Sequence, residues 1–270
     1  MTVLLISLFF ACSGDMNTNG TEVKAKSLNK LDPATLADAV DKAELVPSPV
    51  EMQEKLVKAG LSGELGSFVT TPKDFRVVVG DDNDQTAIRT GIVMADLVLT
   101  VKSADKEAIL LRLGKLKEGL DKLGGGADIH STIEDFEQRV QSAEIKKSEL
   151  LSEFDDMASV MVSELEYEAG DWVVPLIQAG TWLEGANLVS KAMIKEEKYD
   201  AANQFFRQKE IVEYFISYIN REGKERAPEG VAITLIETLK ELKQISGKPK
   251  LSEADVKKIE KLTSSVFALL

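Results

Sequence analysis

Two stretches of this chain carry almost no charge. Trp172–Ser190 (WVVPLIQAGTWLEGANLVS) contains a single charged residue, Glu184, and Ile92–Val101 (IVMADLVLTV) contains only Asp96. Neither alternates apolar with polar residues as a half-buried strand would. Both lie in longer segments of helical spacing, and a helix that is apolar on most faces belongs inside a protein, wrapped by others. A membrane span is the competing use for such a helix. Gln178, Thr181, Glu184 and Asn187 interrupt the longer one, and an acid at mid-bilayer costs about 2.5–3.5 kcal/mol. The expected structure is therefore a bundle built around two central helices.

The rest of the chain supplies the wrapping. Asp32-Pro33 opens a short helix, with Asp32 as N-cap and Pro33 in the first position. Pro49–Ala59 forms the next, stopped by Gly60. Gln85–Val101 is the first central helix. Ser103 is expected to cap its successor, which ends at Gly124-Gly125-Gly126. Ser131 and Glu134 have capping-box spacing for a helix from Thr132, whose pattern continues to Gly170 with room for a break near Lys146-Lys147-Ser148. Asp171 precedes the second central helix, Trp172 to Ile194. Further helices span Lys198–Asn220 and Gly230–Ile245, and one follows Ser252. Phe75–Val79 is the one strand candidate, and Pro72 and Gly80-Asp81-Asp82 bound it as loop. The sequence predicts an all-α domain over 32–270, a multi-helix bundle of about nine helices with antiparallel neighbours.

Charge and composition narrow the chemistry. Across 270 residues, 33 Lys+Arg face 45 Asp+Glu, for a net charge of −12. An acidic chain has little to drive counterion release, so no nucleic-acid partner is expected. One His and one Cys leave no Cys/His zinc cluster or disulfide framework to build. Helical di-iron proteins use a Glu-x-x-His motif, and none occurs here. No cofactor is implied.

The N-terminus reads as an address. Thr2–Ala11 (TVLLISLFFA) is a short apolar run that ends at Cys12, and a small, polar stretch follows (SGDMNTNGT). A bilayer span takes about 20 residues, so this run suits a secretory h-region instead. It contains no Lys or Arg, which allows a start upstream of Met1. A Cys at such a junction is expected to carry lipid as the first residue of the mature chain. That gives a signal peptide over 1–11, a flexible tether over 12–31 and a lipid-anchored body on the periplasmic side of a bacterial envelope. The competing readings are a signal peptide without lipidation or a buried apolar segment.

Three segments carry a resemblance: PSPVEMQEKLVKAG (Pro47–Gly60), AIRTGIVMADL (Ala87–Leu97) and GTWLEGANL (Gly180–Leu188). In order and spacing they are similar to a group of all-helical bacterial lipoproteins. Those show a PSPxE helix, an A-x-x-x-G-[IV]-x-x-A-D-L segment and a G-x-W-[IL]-E segment. The resemblance implies a helical fold and export, and implies no activity.

Asp96 and Glu184 are the residues out of place, because a buried carboxylate is costly unless paired. Arg89 lies two turns before Asp96 on one face, and Lys191 two turns after Glu184. Gln178, Asn187 and the Trp182 indole N–H are further donors in reach. Two readings stand. Arg89, Asp96, Gln178, Trp182, Glu184 and Asn187 line a polar slot that binds a ligand or cation, or the acids form structural pairs that hold helix register. Gly91, Ala95, Gly180 and Gly185 are expected to let the two central helices approach closely. The acids of Gly80–Gln85 miss the Gly and Glu positions of a calcium-binding EF-hand loop and read as a helix cap. His130 reads as surface, and Glu164, Glu166 and Glu168 as a solvated face. The function expected is a binding or interaction module whose partner is a small molecule or an envelope protein. The alternative is a helical-bundle enzyme or metal carrier that uses Asp96 and Glu184.

Overall fold

The computed structural model describes residues 46–69, 74–142, 146, 149–154, 157, 161, 165, 173–222 and 229–270. Cys12, the tether, the helix expected at Asp32, Asp171 and Glu164, Glu166 and Glu168 lie outside the described residues. The protein is an all-α, multi-helix bundle with no strand among the described residues. Phe75–Val79 is irregular rather than extended into a ladder.

Local chemistry explains where several helices begin. In α1 (Pro49–Lys58), Ser48 and Glu51 form a reciprocal capping box, and Gly60 at φ 76 ends the segment. In α2 (Asn83–Thr100), the Asp82 carboxylate accepts from the Gln85 N–H at 3.0 Å. The acids of the preceding loop thus serve a helix N-terminus, as their pattern suggests. In α3 (Lys106–Lys122) the cap is Asp105, which accepts from Ala108 N–H at 2.7 Å. Ser103, the expected cap, instead accepts from the Gly66 N–H at 3.1 Å.

α4 (Ala127–Ser142) starts a full turn before the Ser131 box. The earlier start lets Ile129 join Ile133, Phe136 and Val140 in one buried stripe, and that apolar gain outweighs the cap. His130 lies on this helix, with Nε2 at 2.5 Å from Asp121, half-exposed. The other central helix is α5 (Val173–Glu196). The helix expected over Lys198–Asn220 is broken into a 3-10 turn at Tyr199–Ala201, a short α6 (Ala202–Phe206) and α7 (Lys209–Glu222). α8 (Glu229–Ser246) follows, and then α9 (Glu253–Leu269) behind a second capping box, Ser252 with Asp255.

Helices α2 and α5 form the centre and pack on each other more than any other pair. Sixteen of the 18 residues of α2 are buried. Helix α3 covers α2, α4 covers α3, α9 covers α5, and α1 lies across both central helices. One expectation fails at the centre. Ile88 lies against Gly180, Gly91 against Ile177 and Thr181, and Leu99 against Gly185. Residue numbers rise together on the two helices, so the central pair runs parallel rather than antiparallel.

Candidate functional site

The site starts from two glycines. A Cβ on Gly91 would stand 2.0 Å from the Ile177 carbonyl oxygen, and one on Gly180 would stand 2.0 Å from the Ile88 oxygen. Only glycine permits this backbone contact. The Thr181 hydroxyl closes the crossing by donating to the Gly91 carbonyl at 3.1 Å and to its own Ile177 carbonyl at 2.9 Å. Gly185 does something else: a Cβ there would meet the Met52 sulfur at 2.6 Å, so it seats α1 rather than α2.

A little beyond the crossing, each parallel helix presents its lone acid. Asp96 and Glu184 are both fully buried, at 0% exposure, and stand close enough to act on each other. No N–H or hydroxyl donor reaches either Glu184 oxygen. Two carboxylates cannot donate to each other, so a hydrogen bond between them would need a proton on one of the two. Burial is the largest force that holds the Glu184 carboxyl well above the usual carboxylate range. The neighbouring Asp96 carboxyl adds to it, while Lys191 and Arg112 pull the other way.

Lys191 is half-buried, and its Nζ donates to the Phe68 carbonyl at 3.3 Å. Burial lowers its pKa, against the pull of Glu184, Glu260 and Asp96. The ring of the same Phe68 receives Lys195, whose Nζ lies 4.9 Å from the centroid.

One turn above Asp96 the chain opens into a polar pocket of about 360 Å³. Its walls are the 3-10 turn Leu65–Phe68, the C-terminal end of α2 and the first turns of α3. Glu64, Ser67, Thr100, Ser103, Asp105 and Arg112 line it. Thr100 links pocket and pair, because its hydroxyl donates to the Asp96 carbonyl at 2.5 Å. Ser103 pins the wall: it accepts from Gly66 N–H and donates to the Thr100 carbonyl at 3.1 Å. Arg112 donates from Nη1 to the Ala108 carbonyl at 3.0 Å, and its buried Nε has no acceptor.

The structure unites Asp96 and Glu184 and disperses the other candidates. Arg89 turns to the opposite end of α2, where Nε donates to the Arg76 carbonyl at 2.6 Å and the guanidinium stacks 4.5 Å from the Phe75 centroid. Trp182 donates its indole N–H to Gln208 at 2.9 Å, from the break between α6 and α7. Asn187 donates to Thr263 at 3.0 Å and Ser264 at 2.9 Å on α9. Gln178 is half-buried, and its buried Oε1 has no donor. Helical geometry accounts for part of this: Trp182 and Gln178 point away from the Glu184 face.

Arg112 went unnoticed in the sequence. The signal was its place in the α3 pattern, on the stripe of Ile109, Leu113, Leu116 and Leu120, where a charge needs a reason. Among the described residues no group of three or more His, Cys, Asp or Glu side chains gathers, so the acids stand as a pair. None of the described helices is long and apolar enough to cross a membrane. Compared with known proteins, the chain matches no family model, no curated protein and no solved structure.

Proposed function

We propose that this chain is an exported protein, held at a membrane of the bacterial envelope by lipid on Cys12, whose helical body is a binding module. The observation that carries the binding reading is the pocket beside Arg112. Its volume of about 360 Å³ lies within the range of small-molecule sites. The Arg112 guanidinium, with an unused buried N–H, suits a carboxylate or phosphate oxygen. Glu64 and Asp105 line the same space and suit an ammonium group. A small zwitterion such as an amino acid answers both. The anchoring reading is supported by the apolar run ending at Cys12 and by the resemblance to helical bacterial lipoproteins. An enzyme or metal carrier built on Asp96 and Glu184 draws support only from the meeting of those two acids.

A thermal-shift panel of glycine, glutamate, acetate and inorganic phosphate tests the pocket. At least one zwitterion is expected to raise the melting temperature of the wild type, and Arg112→Ala to abolish the shift. A panel with no shift, or a shift that Arg112→Ala leaves intact, removes this reading. Cys12→Ser is expected to move the body from the membrane fraction to the soluble fraction. Unchanged fractionation, with no diacylglycerol adduct on the wild type by mass spectrometry, removes the anchor.

A further inference from the structure

The Asp96–Glu184 pair sits where the two central helices have least room to adjust. Both side chains are at 0% exposure. The neighbouring crossing is backbone against backbone at Gly91 and Gly180. The charged groups that act on the pair come from two elements: Arg112 from α3 and Lys191 from α5 itself. Helix α9 contributes Glu260, which acts on Lys191. Lys191 is already committed to the Phe68 carbonyl, and Arg112 lines the pocket outside. Neither cation hydrogen-bonds to Glu184.

We propose that Asp96 and Glu184 form a proton-dependent clasp, in which one shared proton joins α2 to α5 and its loss as pH rises parts the two helices. With the proton present, Glu184 donates to Asp96 and the pair carries one negative charge, which faces two cations. Without it, two like charges touch in a dry interior, and each disfavours the ionised form of the other. A close-packed crossing has no intermediate spacing to take up, so the helices separate or the proton stays. The clasp lies one turn below Thr100, which lines the pocket and donates to the main-chain carbonyl of Asp96.

The pH window follows from the direction of the shift. In the unfolded chain Glu184 ionises near about pH 4.3. In the folded chain its pKa is raised. The contribution of the pair is therefore complete below the unfolded value. It falls as pH rises, by about tenfold in the folding constant per pH unit, until the folded value is passed. Glu184→Gln keeps a side-chain N–H that donates to Asp96 but removes the titration.

The test is denaturant unfolding of the ligand-free wild type and of Glu184→Gln from about pH 5 upward, starting just above the unfolded-state value. The wild type is expected to lose about tenfold in folding constant per pH unit relative to the variant. Parallel pH curves for the two proteins overturn the clasp. Infrared spectroscopy of the wild type covers the case in which the variant does not fold. It is expected to show a buried protonated carboxyl at about pH 6, where free carboxylates are ionised. That band should vanish at higher pH, as the protection of α2 and α5 amides relative to their intrinsic exchange rates falls. No such band at about pH 6 overturns the proposal. Neither measurement uses a pocket ligand, so the clasp can fail while the binding reading stands, and the reverse.

Discussion

Helix α2 buries both Arg89 and Asp96, and it treats the two in opposite ways. Arg89 is 7% exposed and keeps its charge by donating to a carbonyl and facing an aromatic ring. Burial does lower its pKa, but from a value so high that it stays a cation. Asp96, two turns on, meets another acid instead, and in the proposed clasp the pair gives up one charge by holding a proton. A guanidinium is a planar donor that neutral oxygens and π faces can satisfy. A carboxylate is only an acceptor, so a second acid can satisfy it only by bringing a proton. Buried charge is thus tolerated at Arg89 by solvation from within and, in the clasp, at Asp96 by partial neutralisation.

The difference can be broken at three strengths. The largest effect is expected from Gly180→Ala, which places a methyl 2.0 Å from the Ile88 carbonyl oxygen and must push the helices apart. A loss of about 3 kcal/mol or more by chemical denaturation is expected, at the upper end of overpacking costs. A loss within about 0.5 kcal/mol, the scale of a surface substitution, would show that the crossing is not tight. Next comes Arg89→Ala, which removes the stem packed on Phe75 and leaves the Arg76 carbonyl without this donor. About 2 kcal/mol is expected to be lost. The smallest and most telling effect is the pH dependence of that loss. The cost of Arg89→Ala should be the same at about pH 5 and about pH 8, because the guanidinium does not titrate there. A cost that changes across this range would tie Arg89 to the acid pair and erase the contrast.

Much of this centre was legible in the residues. The nearly uncharged runs around Asp96 and Glu184 marked α2 and α5 as interior helices, and the two do pack together with their acids buried. Gly91 and Gly180 marked the crossing. What could not be read was which groups would meet. Periodicity shows which residues share a face of one helix, so Arg89 and Asp96 looked like partners. It does not show the direction in which the neighbouring helix runs. The parallel arrangement brings Asp96 and Glu184 to the same level, while Asn187 is taken by Thr263 and Ser264 on α9. Trp182 met a similar fate. Its acceptor, Gln208, lies at a break that helical periodicity alone does not reveal.

The parallel pairing of α2 and α5 also bears on how the protein is made. The contact between Thr181 and Gly91 joins residues 90 positions apart. At about 5–20 residues per second, a ribosome needs roughly 5–20 s to supply α5 after α2 has been synthesised. During that interval α2 has α3 to lean on, but the partner that fills the Gly91 face does not yet exist. The heart of this bundle is therefore a late event, and a nascent chain stays open through most of its synthesis.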